Sequence, residues 1–137
     1  MKEEKREIYV DPMGLAFGKV MTIFTIIGVI LMVAPAIFYF LGKNQYIPLD
    51  KAALYWSNAT VDFWKHIKGA PVHGYNWIFD NLKYTDCLSM IGVLLLMITP
   101  LISMFAAIVK APQKAYKILL FIAAVEFIIS MIVKGVF

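Results

Sequence analysis

The chain has 137 residues, of which 61% are hydrophobic and only 16% are charged, well below the ~25% charged residues of soluble globular proteins. The mean hydropathy is +0.76. The formal net charge is +4, but the lysines and arginines are scattered through the loops, which argues against nucleic-acid binding. One cysteine, Cys87, excludes an internal disulfide bond and a cysteine-based zinc site. These values indicate an integral membrane protein.

Three apolar stretches are each long enough to cross a bilayer, which takes about 20 residues in a helix. They run over about 15–41, 87–109 and 118–136. Lys19 lies inside the first stretch, and Glu126 lies near the middle of the third. The sequence therefore predicts an all-α membrane protein, a single domain with three transmembrane helices.

Two features concern the packing of these spans. Gly14 and Gly18 are four residues apart and predict a close helix–helix contact. Pro35 and Pro100 each remove a helical hydrogen bond and favour a kink in the first and second spans. The short turn at 110–117 predicts an antiparallel hairpin of the second and third spans.

The segment at about 42–86 contains all three tryptophans of the chain. Pro48–Asp50 predicts the start of an amphipathic helix that extends to Gly69, and a second short helix is expected at about Tyr75–Tyr84. Such helices lie flat on a membrane interface or cap a helical bundle. Their aromatic rings indicate either a membrane-interface belt, the commoner case, or a quinone or lipid pocket. The candidate pocket residues are Trp56, Trp64, Trp77 and Phe79.

Glu126 is the most specific functional candidate in the sequence. A charged side chain in mid-span costs about 2.5–3.5 kcal/mol on insertion scales, so it is expected to be protonated, paired or turned toward protein or water. One interpretation pairs it with Lys19, Thr22 or Thr25 inside the bundle. The others make it a contact for a basic group of a partner subunit, or a site for ions or protons. These four residues are the candidate ion or partner contacts.

The two histidines, His66 and His73, give only a weak indication of a metal site. Asp62 and His66 are four residues apart and share a helix face, and Asp80 would have to join them with His73 after folding. Neither histidine lies in a predicted span, which argues against a haem held by two histidines. No motif positions a nucleophile, acid, base or metal, so we expect no metal, no cofactor and no enzymatic activity.

The second half of the chain carries a Gly-x-x-x-Leu-x-x-Thr-Pro pattern in Gly92, Leu96, Thr99 and Pro100. Over residues 86–136 it resembles a family of small three-span prokaryotic membrane proteins of unknown function. Members of that family are often encoded beside TauE/SafE-type exporters of sulfite or organosulfonates. The resemblance implies an accessory role, although the long aromatic insertion after the first span departs from the shorter family pattern.

The basic residues near the span ends set the expected orientation. Lys110, Lys114 and Lys117 crowd one short turn, which places that turn and the N-terminus in the cytoplasm and the 42–86 segment outside. We expect a non-catalytic accessory or structural subunit of a larger respiratory or transport assembly in the inner (cytoplasmic) membrane. Its partners would be larger membrane subunits and lipids. The alternative is a homo-oligomeric small transporter or ion-conducting protein that uses Glu126.

Overall fold

A computed structural model describes residues 9–133 of the chain, and this range is all-helical, without strands. It forms six helices: α1 (Pro12–Phe40), α2 (Leu49–Tyr55), α3 (Thr60–Lys68), α4 (Asn76–Asp80), α5 (Thr85–Lys110) and α6 (Lys114–Val133). Of these, α1, α5 and α6 are long and apolar enough to cross a membrane. The prediction of an all-α membrane protein with three spanning helices and short helices after the first is confirmed.

The ends of the spanning helices follow local chemistry. Asp11 caps α1, because its carboxylate accepts hydrogen bonds from the backbone N–H groups of Met13 and Gly14 at 3.2 and 3.1 Å. α6 already begins at Lys114, four residues before the predicted start of the third span. The end of the third predicted span, at 134–136, lies outside the described residues.

α1 and α5 pack antiparallel, and their backbones touch where Gly28 meets Gly92. A Cβ atom added at Gly92 would lie 2.7 Å from the carbonyl oxygen of Gly28 and 2.8 Å from the carbonyl carbon of Leu31. A Cβ atom at Gly28 would lie 2.7 Å from the side chain of Leu96. Since only glycine permits such an approach, this pair fixes the distance between the two helices.

Two serine hydroxyls of α5 join α1 on either side of this contact. Ser89 donates a hydrogen bond to the carbonyl of Met32 at 2.6 Å. The hydroxyl of Ser103 donates to the carbonyl of Thr99 in its own helix at 2.9 Å, and its oxygen contacts the sulfur of Met21 at 3.6 Å. The later residue of α5, Ser103, thus meets the earlier residue of α1, Met21. The two helices therefore run antiparallel.

The predicted close contact at Gly14 and Gly18 is wrong within this chain. Both glycines lie on an exposed face of α1, and a Cβ atom added at Gly18 would have nothing within 4 Å. The glycines that make the close contact, Gly28 and Gly92, are on different helices, so no spacing along the chain identifies them. The two prolines, Pro35 and Pro100, lie inside helices that continue past them.

α6 packs against α5 and forms no extended interface with α1 among the described residues, so α5 lies between the other two spans. The more covered positions of α6 recur at helical spacing and include the fully buried Ala124. They are Leu120, Ala124, Phe127, Ile128 and Met131. The three spans thus form a row with two outer faces, one on α1 and one on α6.

The predicted helix from Pro48 to Gly69 is broken into α2 and α3. Ser57 and Asn58 interrupt it, since both favour turns over helix interiors, and the N–H of Asn58 donates to the carbonyl of Tyr55 at 3.0 Å. The break allows α3 to fold against α2. The rings of Tyr55 and His66 then stack with their centroids 4.4 Å apart.

The Gly28–Gly92 contact predicts a strong position dependence of glycine substitutions. Gly92→Ala places a methyl group against the backbone of α1, and we expect the free energy of unfolding in detergent to fall by about 1–3 kcal/mol, as for overpacked cores. Gly18→Ala, measured like Gly92→Ala in the dissociated single chain, is the matched control, because a Cβ atom there would have nothing within 4 Å. Thermal unfolding followed by circular dichroism measures both variants. Equal stability of the two would contradict the assigned contact.

Candidate functional site

The aromatic segment, residues 41–84, is held against the ends of α1 and α5 by Asp86. Its two carboxylate oxygens accept hydrogen bonds from the backbone N–H groups of Tyr46 and Ile47 at 2.9 and 2.8 Å. The hydroxyl of Tyr39, near the end of α1, donates to the carbonyl of Ile47 at 2.8 Å. These bonds fix one stretch of the aromatic segment to two spanning helices at once.

Stacked rings continue from this anchor through the segment. Tyr46 stacks on Trp77 with ring centroids 5.8 Å apart, and Trp77 meets Trp64 edge-on at 4.9 Å. The ammonium group of Lys68 lies 3.7 Å from the centroid of the Tyr46 ring and donates to the carbonyl of Tyr46 at 3.0 Å. Burial raises the pKa of the Tyr46 phenol above its ordinary value, since it disfavours the charged phenolate.

A cavity of about 370 Å³ lies between the aromatic segment and the adjoining ends of α1 and α5. Its volume is at the lower end of the range typical of small-ligand pockets, about 300–1,000 Å³. Three of the four predicted pocket residues line it, namely Trp56, Trp64 and Trp77. Phe79 lies elsewhere, in a groove beside α5 with Ile91. The full lining is Ala36, Tyr39, Phe40, Ile47, Ala52, Trp56, Phe63, Trp64, Trp77, Asp86, Ser89 and Met90.

The hydrogen bonds of the cavity wall limit what it can hold. The hydroxyls of Tyr39 and Ser89 already donate to backbone carbonyls, and Asp86 already accepts two N–H groups. The indole N–H groups of the three tryptophans make no hydrogen bond to other residues within 9–133. The wall therefore offers almost entirely apolar and aromatic surface, which suits a largely apolar ligand.

Glu126 lies on the outer face of α6, on the side of that helix away from α5. At about 100° of rotation per residue, it is roughly opposite the covered Ala124 and Met131. The side chain is exposed, and it forms no hydrogen bond or ion pair with another residue of the described range. The carboxylate thus stands near mid-span with no partner from its own helix row.

The structure does not bring Glu126 together with the three residues that would pair with it inside the bundle. Lys19 and Thr22 are exposed on α1, beyond the intervening α5, and Thr22 donates instead to the carbonyl of Gly18 at 2.8 Å. Thr25 also lies on α1. The pairing fails because two antiparallel contacts with α5 place α1 and α6 on its opposite sides.

Within the described range, no group of three or more histidine, cysteine, aspartate or glutamate side chains is placed to hold a metal ion. His66 stacks on Tyr55, and its Nδ1 is hydrogen-bonded to the backbone carbonyl of Asp62 at 2.7 Å. His66 is thus bonded to the backbone of Asp62, and this ring nitrogen is not directed at a metal ion shared with the Asp62 carboxylate.

Sequence reasoning missed the anchoring role of Asp86. Its position in the first turn of α5 is the one available signal, because an acidic residue there suits the helix N-terminus. The partners, Tyr46 and Ile47, lie about 40 residues earlier in the chain, and no periodic pattern connects them to Asp86. A helix-start signal alone therefore could not reveal which segment the carboxylate holds.

Comparison with known proteins gives a family but no activity. A family model described as "AF1633-like membrane protein" matches residues 2–137. An "Uncharacterized protein" of Archaeoglobus fulgidus is 30% identical over 129 residues, which are 94% of this chain and 56% of that protein, so the chain spans about half of its length. A second "Uncharacterized protein" of that organism is 23% identical over 118 residues, 86% of each chain. No solved structure matches.

The Asp86 anchor predicts a local effect of Asp86→Asn. The amide keeps one acceptor oxygen but replaces the other with an N–H group, so one bond to Tyr46 or Ile47 is lost. A hydrogen bond to a charged group contributes about 1.5–3 kcal/mol, so amide hydrogen exchange at the released residue should speed up about 10- to 100-fold. Asp62→Asn is the control, since the Asp62 side chain is exposed. Unchanged exchange at both residues in Asp86→Asn would contradict the anchor.

Proposed function

The chain belongs to the AF1633-like membrane protein family, and on that premise we propose that it is a non-catalytic accessory or structural subunit of a larger membrane assembly. The position of Glu126 carries the proposal. This carboxylate is near mid-span, on the side of α6 turned away from α5, and the described part of the chain supplies no partner for it. A second subunit that covers this face would provide one.

The lipid environment of that face makes an unpaired charge costly. A charged side chain at the bilayer centre costs about 2.5–3.5 kcal/mol on insertion scales, and such residues normally face protein or water. A basic or hydrogen-bonding group from a neighbouring subunit removes this cost. The exposed apolar residues on the same face, including Ile122 and Ile129, suit lipid or protein equally well, so the carboxylate is the more informative feature.

The proposal includes an orientation and a host. We place the N-terminus and the turn before α6 in the cytoplasm, because Lys110, Lys114 and Lys117 surround that turn. The aromatic segment would then cover the outer ends of α1 and α5 in the cytoplasmic membrane. The host would be a respiratory or transport assembly. The resemblance of residues 86–136 to proteins often encoded beside TauE/SafE-type exporters supports an accessory role.

The alternative is that Glu126 itself carries ions or protons. One substitution distinguishes this conducting role from the role of a subunit contact. Glu126→Gln removes the charge and keeps the shape, so we expect the chain to leave its assembly on a native gel after mild solubilisation. Asp50→Asn, an exposed change outside the spans, is the control and should leave assembly unchanged. An intact assembly that has lost ion or proton flux would instead establish the conducting role.

The cavity supports a second candidate function, the binding of a quinone or of part of a lipid. It lies where the aromatic segment meets the ends of two spanning helices, and its wall is almost entirely apolar and aromatic. A quinone ring presents flat apolar faces and two carbonyl acceptors, which match aromatic walls with few donors. A lipid chain matches the apolar surface alone.

All three tryptophans line the cavity, so intrinsic fluorescence reports on its occupancy. We expect a short-chain quinone to quench this fluorescence saturably in detergent. Trp64→Ala should weaken the apparent affinity about tenfold or more, the usual effect of removing a buried aromatic anchor. Phe79→Ala, an aromatic change outside the cavity, is the matched control. Linear, unsaturable quenching in the unmodified protein would exclude quinone binding, and quenching only by brominated lipid chains would favour a lipid.

A further inference from the structure

We propose that the partner covering Glu126 is a second copy of this chain, which presents an exposed groove on α1 with Lys19 as the basic group. This inference rests on the proposed function and specifies its partner. The host assembly would then contain at least two copies of the chain, joined α6 to α1. The groove, the charges and the depth of the two residues each support the pairing.

A shallow groove runs along the exposed side of α1. It is formed by Gly14, Leu15, Gly18, Lys19, Thr22 and Ile23, and its volume is about 390 Å³. The small residues at every fourth position, Gly14, Gly18 and Thr22, allow a neighbouring backbone to approach closely. A Cβ atom added at Gly18 would have nothing within 4 Å, so this approach is not used inside the chain.

Charge complementarity identifies α6 of a second copy as the occupant. Lys19 is exposed in the groove and, like Glu126, forms no ion pair with another described residue. The two side chains carry opposite charges within spanning helices, on the two outer faces of the row. They cannot meet in one chain because α5 lies between α1 and α6. Two copies placed side by side bring them together.

The depth of the two residues in the membrane is compatible with this pairing. α1 and α6 run in the same direction, because each is antiparallel to α5. At about 1.5 Å per residue, Lys19 lies about 10 Å along α1 from Pro12, and Glu126 lies about 18 Å along α6 from Lys114. The lysine and glutamate side chains together can span the remaining difference, and a small tilt of one copy reduces it further.

Such a contact joins two different faces, α6 of one copy and α1 of the next. A contact of this kind is heterologous, and successive copies either close into a ring or continue as an open chain. Each added copy pairs one Glu126 with one Lys19, so a closed ring leaves neither residue unpaired. This outcome distinguishes the proposed contact from a two-fold dimer, in which like faces meet.

Charge reversal tests the pairing in the intact protein. Lys19→Glu alone should place two carboxylates at the contact, and the homo-oligomer seen by native mass spectrometry should fall to single chains. Adding Glu126→Lys in the same chain restores opposite charges and should restore the oligomer. Loss of the oligomer in the single variant without recovery in the double variant would overturn the pairing, as would an oligomer that survives the single change.

Disulfide cross-linking provides a second test that does not alter either charge. In a Cys87→Ser background, Thr22→Cys lies one turn beyond Lys19 and Ser130→Cys lies one turn beyond Glu126. Co-expression of one copy with each cysteine should give a two-chain band on oxidation. The control pairs two copies of Thr22→Cys, and a band only in that control would indicate a two-fold contact and overturn the proposal.

These outcomes also separate the inference from the proposed function. If Glu126→Gln releases the chain from other subunits while the 22–130 cross-link is absent, a different protein covers α6, and only the homotypic contact fails. If Glu126→Gln leaves every association intact and the cross-link is absent, the α6 face makes no subunit contact. Both proposals then fail.

Discussion

The backbone contact between Gly28 and Gly92 determines the arrangement of the other parts. It lets α1 and α5 approach more closely than any side chain would permit. On either side of it, Ser89 donates a hydrogen bond to α1 and Ser103 contacts the sulfur of Met21. Because α1 occupies one side of α5, α6 is left with the other. A hydrophobic effect between helices is weak in lipid, so close packing of small residues and hydrogen bonds must hold such a pair.

This arrangement divides the polar residues of the spans into two groups. Asp86, Ser89 and Ser103 form hydrogen bonds within the chain and hold the aromatic segment or the α1–α5 pair in place. Lys19 and Glu126 lie on the outer faces without partners from the described residues. The first group explains how the chain folds. The second group gave rise to the proposal of a further subunit, because hydrocarbon cannot satisfy a carboxylate near mid-span.

The sequence was sufficient for the fold class because apolar length and the bilayer thickness leave few alternatives. It also singled out Trp56, Trp64 and Trp77, which the structure brings to one cavity. It could not show that Glu126 lies apart from Lys19, Thr22 and Thr25, since hydropathy places a helix in the membrane but does not determine which helices touch. The prediction of a close contact at Gly14 and Gly18 was wrong for the same reason. Gly14 and Gly18 have a recognisable spacing, whereas Gly28 and Gly92 become partners only once α1 and α5 are paired.

The central claim is that this chain is a subunit whose α6 face is covered by another protein chain. Gentle extraction from the native membrane followed by native mass spectrometry tests it most directly. The account predicts that the 15.5 kDa chain is released only as part of a larger stoichiometric complex, with other subunits, further copies of itself or both. A single chain of 15.5 kDa, carrying lipid alone under conditions that preserve other membrane complexes, would contradict it.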